Sequence, residues 1–402
     1  MPIGRSRPLG SDMIKVCYIV DADYAGGAER YILLIARGLD RSRFEPAVLV
    51  KAGAALDEWR REAARAGIQV HQAKMGLPFQ PWDAVGLFRA LWRIQPDIVH
   101  VNVPGPYDGQ MGLVALLARL AGARAVMTTE HLPMAERLWK RALLKSLASG
   151  WVDRVVTVCR ANVPYLIERQ HFPARKITVV HNALPEQYGA RRVAVRLDSR
   201  RNLGLSPDTT ALLMIGSLIE RKGLPVLLEA LPPLLDLDWH LLVAGDGEDR
   251  TAFERKTVQL GLGARVTFLG YRTANEVETL LSAGDILVLP SFMEAMPYVI
   301  LEAMACRLPV IASNIYGIPE MVAGGVTACL VEPGQAEPLT RCLREMITSA
   351  SVREEMGRRG RERFEEYFTI DKQIKSIQAI YGELAGNLTP NERTQLGCER
   401  AS

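Results

Sequence analysis

The sequence predicts an α/β protein of two domains, each organised on a doubly wound parallel sheet. Three observations carry that reading. The chain has 402 residues, more than one hydrophobic core usually organises. Short apolar or β-branched runs recur from Ile14 to Val331, separated by segments of helical period, the alternation expected when crossover helices cover both faces of a parallel sheet. The composition, 48% hydrophobic and 23% charged, lets each half bury a core.

In order, residues 1–12, with their prolines, glycines and arginines, read as a loose tail. Ile14 to Val20 is the first strand, and Asp21 to Gly27 turns the chain into a helix beginning near Ala28. Strands follow at Pro46 to Val50, Ile68 to His71, Ile98 to Val101, Ala125 to Thr128 and Arg154 to Val158, with helices such as Leu56 to Ala66 and Gly109 to Leu120 between them. Ile177 to Val180 and then Pro185 close a first domain of residues 13–185. Arg191 to Asn202 is polar and strongly basic, and reads as the linker and the start of a second domain, 186–368. Its strands are Ala211 to Ile215, Trp239 to Ala244, Val266 to Leu269, Ile286 to Leu289, Val310 to Ala312 and Ala328 to Val331. Ile370, Ile374, Ile377, Tyr381 and Leu384 then form one stripe of a helix at 369–386, before a polar tail at 387–402.

Composition excludes several classes. A net charge of +4, from 49 basic and 45 acidic residues, argues against a general nucleic-acid binder. Six cysteines without a Cys-x-x-Cys pair read as reduced core thiols, the usage of a cytoplasmic protein. No apolar run is long enough to cross a bilayer, and the first residues carry no signal-peptide pattern. Asp21 with Asp23 and Asp236 with Asp238 lack any neighbouring His or Cys cluster, so no metal site is expected.

The densest chemistry lies in residues 284–320. Between two buried strands lies a helix whose start is marked by Pro297, a residue tolerated in the first turn because the amide it lacks would have no intrahelical partner. Glu294 precedes the helix and Glu302 follows eight residues later, inside it. Both can face the crevice above the strand's carboxyl end, where open α/β sheets bind ligands. The free amides around Met296 to Tyr298, with the helix dipole, make the same spot an anion site, and Ala295, Met296 and Pro297 are counted among the binding residues. A phosphate between two hydroxyl-binding carboxylates suggests a nucleotide sugar; ordinary surface glutamates are the alternative.

Other stretches point the same way. Gly26 and Gly27 form a glycine loop between strand and helix, either a close approach for a ligand or a plain tight turn. Gly216 to Gly223 presents Arg221 and Lys222 after a strand, a cradle for a diphosphate or a solvated pair. His131 stands at a strand end, and Gly245-Asp-Gly247 follows another without dinucleotide-fingerprint spacing. Residues 136–147 are basic and amphipathic, a helix that either lies on an anionic membrane surface or packs on its own domain.

Glu294-Ala-Met-Pro297, Glu302-Ala-Met-Ala, Pro309-Val-Ile and Gly317-Ile-Pro-Glu320 together resemble the donor-site signature of the family 4 glycosyltransferases, glycosyl transferases group 1. These are retaining enzymes of the GT-B fold, in which two Rossmann-like domains face each other across a cleft and the last helix crosses back to the first. The resemblance implies that Glu302 holds the ribose, Glu294 the donor sugar's hydroxyls, and Lys222 with the amides near Pro297 the diphosphate. It places Gly26 and Gly27 near the phosphates and acceptor, and His131 at the reaction centre. Ser217 stands where the family has arginine, a charge Arg221 would replace; Ala295 and Arg307 stand where it has glycine, with consequences for sugar preference. The implied activity is metal-independent transfer of a sugar from a UDP-sugar or GDP-sugar to a saccharide or lipid-linked acceptor, in cell-surface polysaccharide or glycolipid synthesis. The enzyme would be cytoplasmic or peripheral on the inner membrane face. The alternatives are a nucleotide-sugar epimerase or hydrolase, and a non-catalytic subunit of a polysaccharide assembly complex.

Overall fold

A computed structural model describes residues 13–22, 25–75, 81–105, 111–132, 145, 149–190 and 192–386. Asp23, the basic segment at 136–147 apart from Lys145, and both expected tails lie outside the described residues. The chain forms two compact units. One takes in the described residues of Met1–Asn182 and Ile370–Ser402, the other Ala183–Thr369.

The first unit is a seven-stranded sheet in the order β3-β2-β1-β4-β5-β6-β7, every pairing parallel. Its strands are β1 Ile14–Val20, β2 Phe44–Lys51, β3 Gln69–Ala73, β4 Ile98–Val103, β5 Ala125–Glu130, β6 Arg154–Thr157 and β7 Ile177–Val179. β4 and β5 are buried at every position, including the polar His100, Asn102, Thr128, Thr129 and Glu130, so their carboxyl-terminal halves bring polar groups into the interior. The helix Ile370–Ala385 belongs to this unit. It buries Ile374, Ile377 and Tyr381 of the expected stripe, and Gln373 Nε2 donates to the His181 carbonyl at 2.7 Å.

The second unit is a six-stranded parallel sheet in the order β10-β9-β8-β11-β12-β13. Here β8 is Thr210–Ile215, β9 Trp239–Ala244, β10 Val266–Gly270, β11 Ile286–Leu289, β12 Val310–Ser313 and β13 Ala328–Val331. Leu212, Leu241, Leu287 and Ile311 are fully buried, each side chain contributing roughly 1.5–3 kcal/mol. In both sheets the winding direction reverses at one place, between β1 and β4 and between β8 and β11. The connections that leave those paired strands diverge there, the place where open α/β sheets bind ligands.

Three expectations change. The basic run read as a linker is a helix, Arg192–Asn202. Its Arg192, Arg196 and Arg200 recur at one-turn spacing and donate to Gly284, Ser282 and Ala283 carbonyls at the end of the helix Ala274–Ala283; Arg196 and Arg200 also pair with Asp285. The charges that suggested a solvated linker thus satisfy a helix C-terminus. Pro297 sits at the N-cap in extended conformation, so the helix begins one residue later, at Tyr298. Of the cysteines, Cys329 and Cys342 form a disulfide, while Cys17, Cys159 and Cys306 are buried free thiols. The reversal from β13 into the helix Ala336–Thr348 brings that pair to a Cα separation of 6.4 Å, within disulfide reach, though the spacing gave no hint of it.

Candidate active site

The winding reversal of the second unit gathers most of the expected residues. The loop after β8 turns at Gly223, which has φ of 76° and whose absent Cβ would stand 1.9 Å from the Pro290 carbonyl oxygen. Only glycine lets the β8 and β11 loops meet this closely. Across that contact Lys222 Nζ lies 2.5 Å from Glu294 Oε1, and Ser291 Oγ donates to the same oxygen at 3.1 Å. Glu294 is buried and Lys222 partly so. Two groups assigned separate tasks, one toward phosphate and one toward sugar hydroxyls, therefore form one ion pair. Each supplies the countercharge that makes burying the other affordable.

Arg221 does not join the pair. Its Nη1 donates to the Met293 carbonyl at 2.6 Å, and the Phe292 amide donates to the Arg221 carbonyl at 2.8 Å, so it ties the loop after β8 to the loop after β11. Ser217 is exposed. Ala295 and Met296 are buried just before the Tyr298–Ala305 helix. Glu302, 3% exposed, accepts a hydrogen bond from the Tyr188 hydroxyl at 3.0 Å. The turn at Gly245 packs directly on the β8 loop: a Cβ on Gly245, φ 142°, would stand 1.8 Å from the Gly216 carbonyl oxygen, and the Leu218 amide donates to Asp246. Arg307 lies at the other end of the helix. Its φ of 55°, with the Arg307 amide on the Met304 carbonyl and the Leu308 amide on that of Ala303, makes it the left-handed residue of a Schellman cap.

The first unit holds a different chemistry. Gly26 caps the helix Gly27–Gly38, and its amide donates to Glu29 Oε2 at 2.9 Å, so the helix start already has a carboxylate of its own. Burial raises the Glu29 pKa. His131 follows β5, and its Nε2 donates to Asn102 Oδ1 at 2.7 Å while its ring meets Tyr31 edge-on at 4.9 Å. Burial pushes its pKa down to about 3, leaving a neutral imidazole. Beneath it, fully buried His100 bonds Tyr381 through Nδ1 and Thr129 through Nε2, both at 2.7 Å, and Tyr18 stands 3.0 Å beyond Tyr381. Burial first, then the neighbouring His131, push the His100 pKa to about 3. Lys145 forms a buried ion pair with Glu130 at 2.7 Å.

Sequence reading missed Tyr188, Ser291 and the His100 network. Tyr188 sits in a stretch without motif or period, Ser291 is one of many loop serines, and His100 lies within an apolar run whose partners are remote in the chain.

Residues 25–188 match the Glycosyltransferase Family 4 model and residues 195–363 match Glycosyl transferases group 1. With two parallel-sheet units of this topology, the chain belongs to the group 1, family 4 glycosyltransferases and has the GT-B fold. An uncharacterized glycosyltransferase of Methanocaldococcus jannaschii is 26% identical over 231 residues, 57% of this chain and 59% of its own length. The UDP-Gal:alpha-D-GlcNAc-diphosphoundecaprenol alpha-1,3-galactosyltransferase of Escherichia coli is 25% identical over 389 residues, covering 93% of this chain and 98% of that protein. Among solved structures, Anabaena HepE in complex with UDP-glucose superposes with a TM-score of 0.79 at 20% identity, over 92% of this chain and 100% of that one. Among the described residues no helix is long and apolar enough to cross a membrane.

Proposed function

We propose that this glycosyltransferase moves a sugar from a UDP-sugar or GDP-sugar to a hydroxyl of a saccharide or lipid-linked acceptor, with retention at the anomeric carbon and without a metal ion. The observation that carries the reading is the Lys222–Glu294 ion pair with Ser291 at the winding reversal of the second sheet. An ammonium and a carboxylate there fit the two ends of a glycosyl phosphate. As the bond breaks, negative charge grows on the leaving phosphate, and Lys222 stabilises it more than it stabilises the ground state. Glu294 accepts from sugar hydroxyls, and Glu302, oriented by Tyr188, accepts from the ribose. Neutral His131 has a lone pair to offer a hydroxyl proton. The undecaprenol-linked substrate in the name of the Escherichia coli relative supports a lipid-linked acceptor.

A calorimetric panel of UDP, GDP and ADP with their common sugar conjugates, run with and without EDTA on wild type and Glu302→Ala, tests the donor half. EDTA-insensitive binding of one nucleotide, lost in the variant, is the expected result; no binding by any member moves the assembly-subunit alternative forward. Anomeric NMR of the product tests retention, and turnover without acceptor at the full rate would indicate the epimerase or hydrolase reading. Peripheral attachment through residues 136–147 belongs to the same proposal. Equal sedimentation with neutral and anionic vesicles would remove it.

A further inference from the structure

We propose that Tyr316 is a specificity-determining residue for the donor sugar; the inference rests on the donor-site reading above. Four non-glycine residues among those described have left-handed backbone: Gln95, His171, Arg307 and Tyr316. The first three lie in connections that lead into β4, β7 and β12, at the amino ends of strands, where a left-handed residue merely turns the chain. Tyr316 alone among them follows a strand it has just left, at the carboxyl end of β12, where parallel sheets bind ligands. The β11–β12 register sets Leu289 opposite Ala312, so the loop carrying Ser291 and Glu294 and the loop carrying Tyr316 leave the sheet at one level, one strand apart.

The order of residues sharpens the point. Tyr316 takes φ of 42°, while Gly317 beside it sits at an ordinary φ of −83°. Glycine adopts the left-handed region without strain and a bulky side chain does not. The strain thus falls on the residue least suited to it, although its neighbour is the residue that would relieve it. Strain kept at a functional rim marks a side chain needed where it is. A partly buried tyrosine on the loop next to the one that carries Glu294 can donate to one sugar hydroxyl and pack against the ring face, and so separate sugars that differ at one carbon.

The test uses the full chain, with Tyr316→Gly and Tyr316→Asn, both at ease in left-handed backbone, and Tyr316→Phe to separate ring from hydroxyl. Probes are UDP, GDP, UDP-glucose, UDP-galactose, UDP-N-acetylglucosamine and GDP-mannose. The proposal expects Tyr316→Gly and Tyr316→Asn to unfold at the wild-type urea midpoint or above, to bind the free nucleotide within about twofold of wild type, and to bind the preferred conjugate about tenfold more weakly or with altered sugar order. Gln95→Gly, which relieves the same strain elsewhere, should leave sugar order unchanged. Unchanged conjugate affinity and sugar order in all three Tyr316 variants would overturn the assignment to Tyr316 alone. If wild type binds neither nucleotides nor conjugates, it is the donor-site reading that fails.

Discussion

The two winding reversals share a topology and differ in charge. Between β8 and β11 the crevice carries an ion pair, Lys222 with Glu294, held by loops that interlock through Gly223. At the corresponding strands of the first unit, β1 and β4, stand neutral groups, His131 on Asn102 and His100 between Tyr381 and Thr129, while the buried Lys145–Glu130 ion pair lies one strand further on, at the end of β5. Even the helix after β1 is closed by its own Glu29. One reversal brings an ion pair to its crossover and the other brings imidazoles, so the sheet provides the place and the side chains set its chemistry. A charged pair suits a phosphorylated donor, and a neutral imidazole suits proton exchange with a hydroxyl.

The sharpest break in that comparison is Lys222→Ala. It should lower turnover by roughly 10²-fold, the size of losing one electrostatic group from a transition state, and also destabilise the fold because Glu294 keeps its burial without its countercharge. Steady-state rates on a variant shown folded by circular dichroism decide this, and a near-native rate would strip Lys222 of its role. Acid should expose the neutral side next. His100 is held near pKa about 3 in the fold against about 6.5 when unfolded, so the unfolded chain binds the extra proton. Stability from this group is complete above about pH 6.5 and is lost progressively as pH falls from there toward pH 3, and His131, held equally low, adds to the loss. Urea midpoints between pH 7 and 4 measure it, and His100→Gln should flatten the slope.

Smaller effects refine the picture. Tyr188→Phe removes one donor from Glu302 and should weaken nucleotide binding by about 3- to 10-fold; unchanged affinity would mean Glu302 needs no such orientation. Arg307→Gly should raise stability by about 1 kcal/mol through relief of left-handed strain, with little change in turnover. A large rate change instead would tie this end of the helix to the chemistry after all.

How much was legible depended on whether the signal was local. β1, β9, β11 and β13 fall on the residues that the apolar runs delimit, because a strand largely buried on both faces is mostly apolar, with Lys15 of β1 and His240 of β9 at half-buried positions. Glu294, Glu302 and Lys222 stood out because each falls within a recognisable string, Lys222 and Glu294 in loops that follow a strand and Glu302 in the helix after Glu294. The helix Arg192–Asn202 did not, since arginines on a linker and arginines capping a remote helix look alike until Gly284 and Asp285 are brought to them.

The sequence by itself determined the alternation of strands and helices, the two sheets, the family and the residues that could meet a donor, since each follows from local period, composition or a short motif. Only the tertiary structure decided that Lys222 and Glu294 are partners, that Tyr188 serves Glu302, that Tyr381 reaches His100, and that Tyr316 bears a strain its neighbour could have relieved. The physical reason is common to the first three. A hydrogen bond or ion pair between residues 72, 114 or 281 positions apart has no periodic trace in the chain, and exists only once the packing of many apolar side chains has set both ends within 3 Å or so of each other.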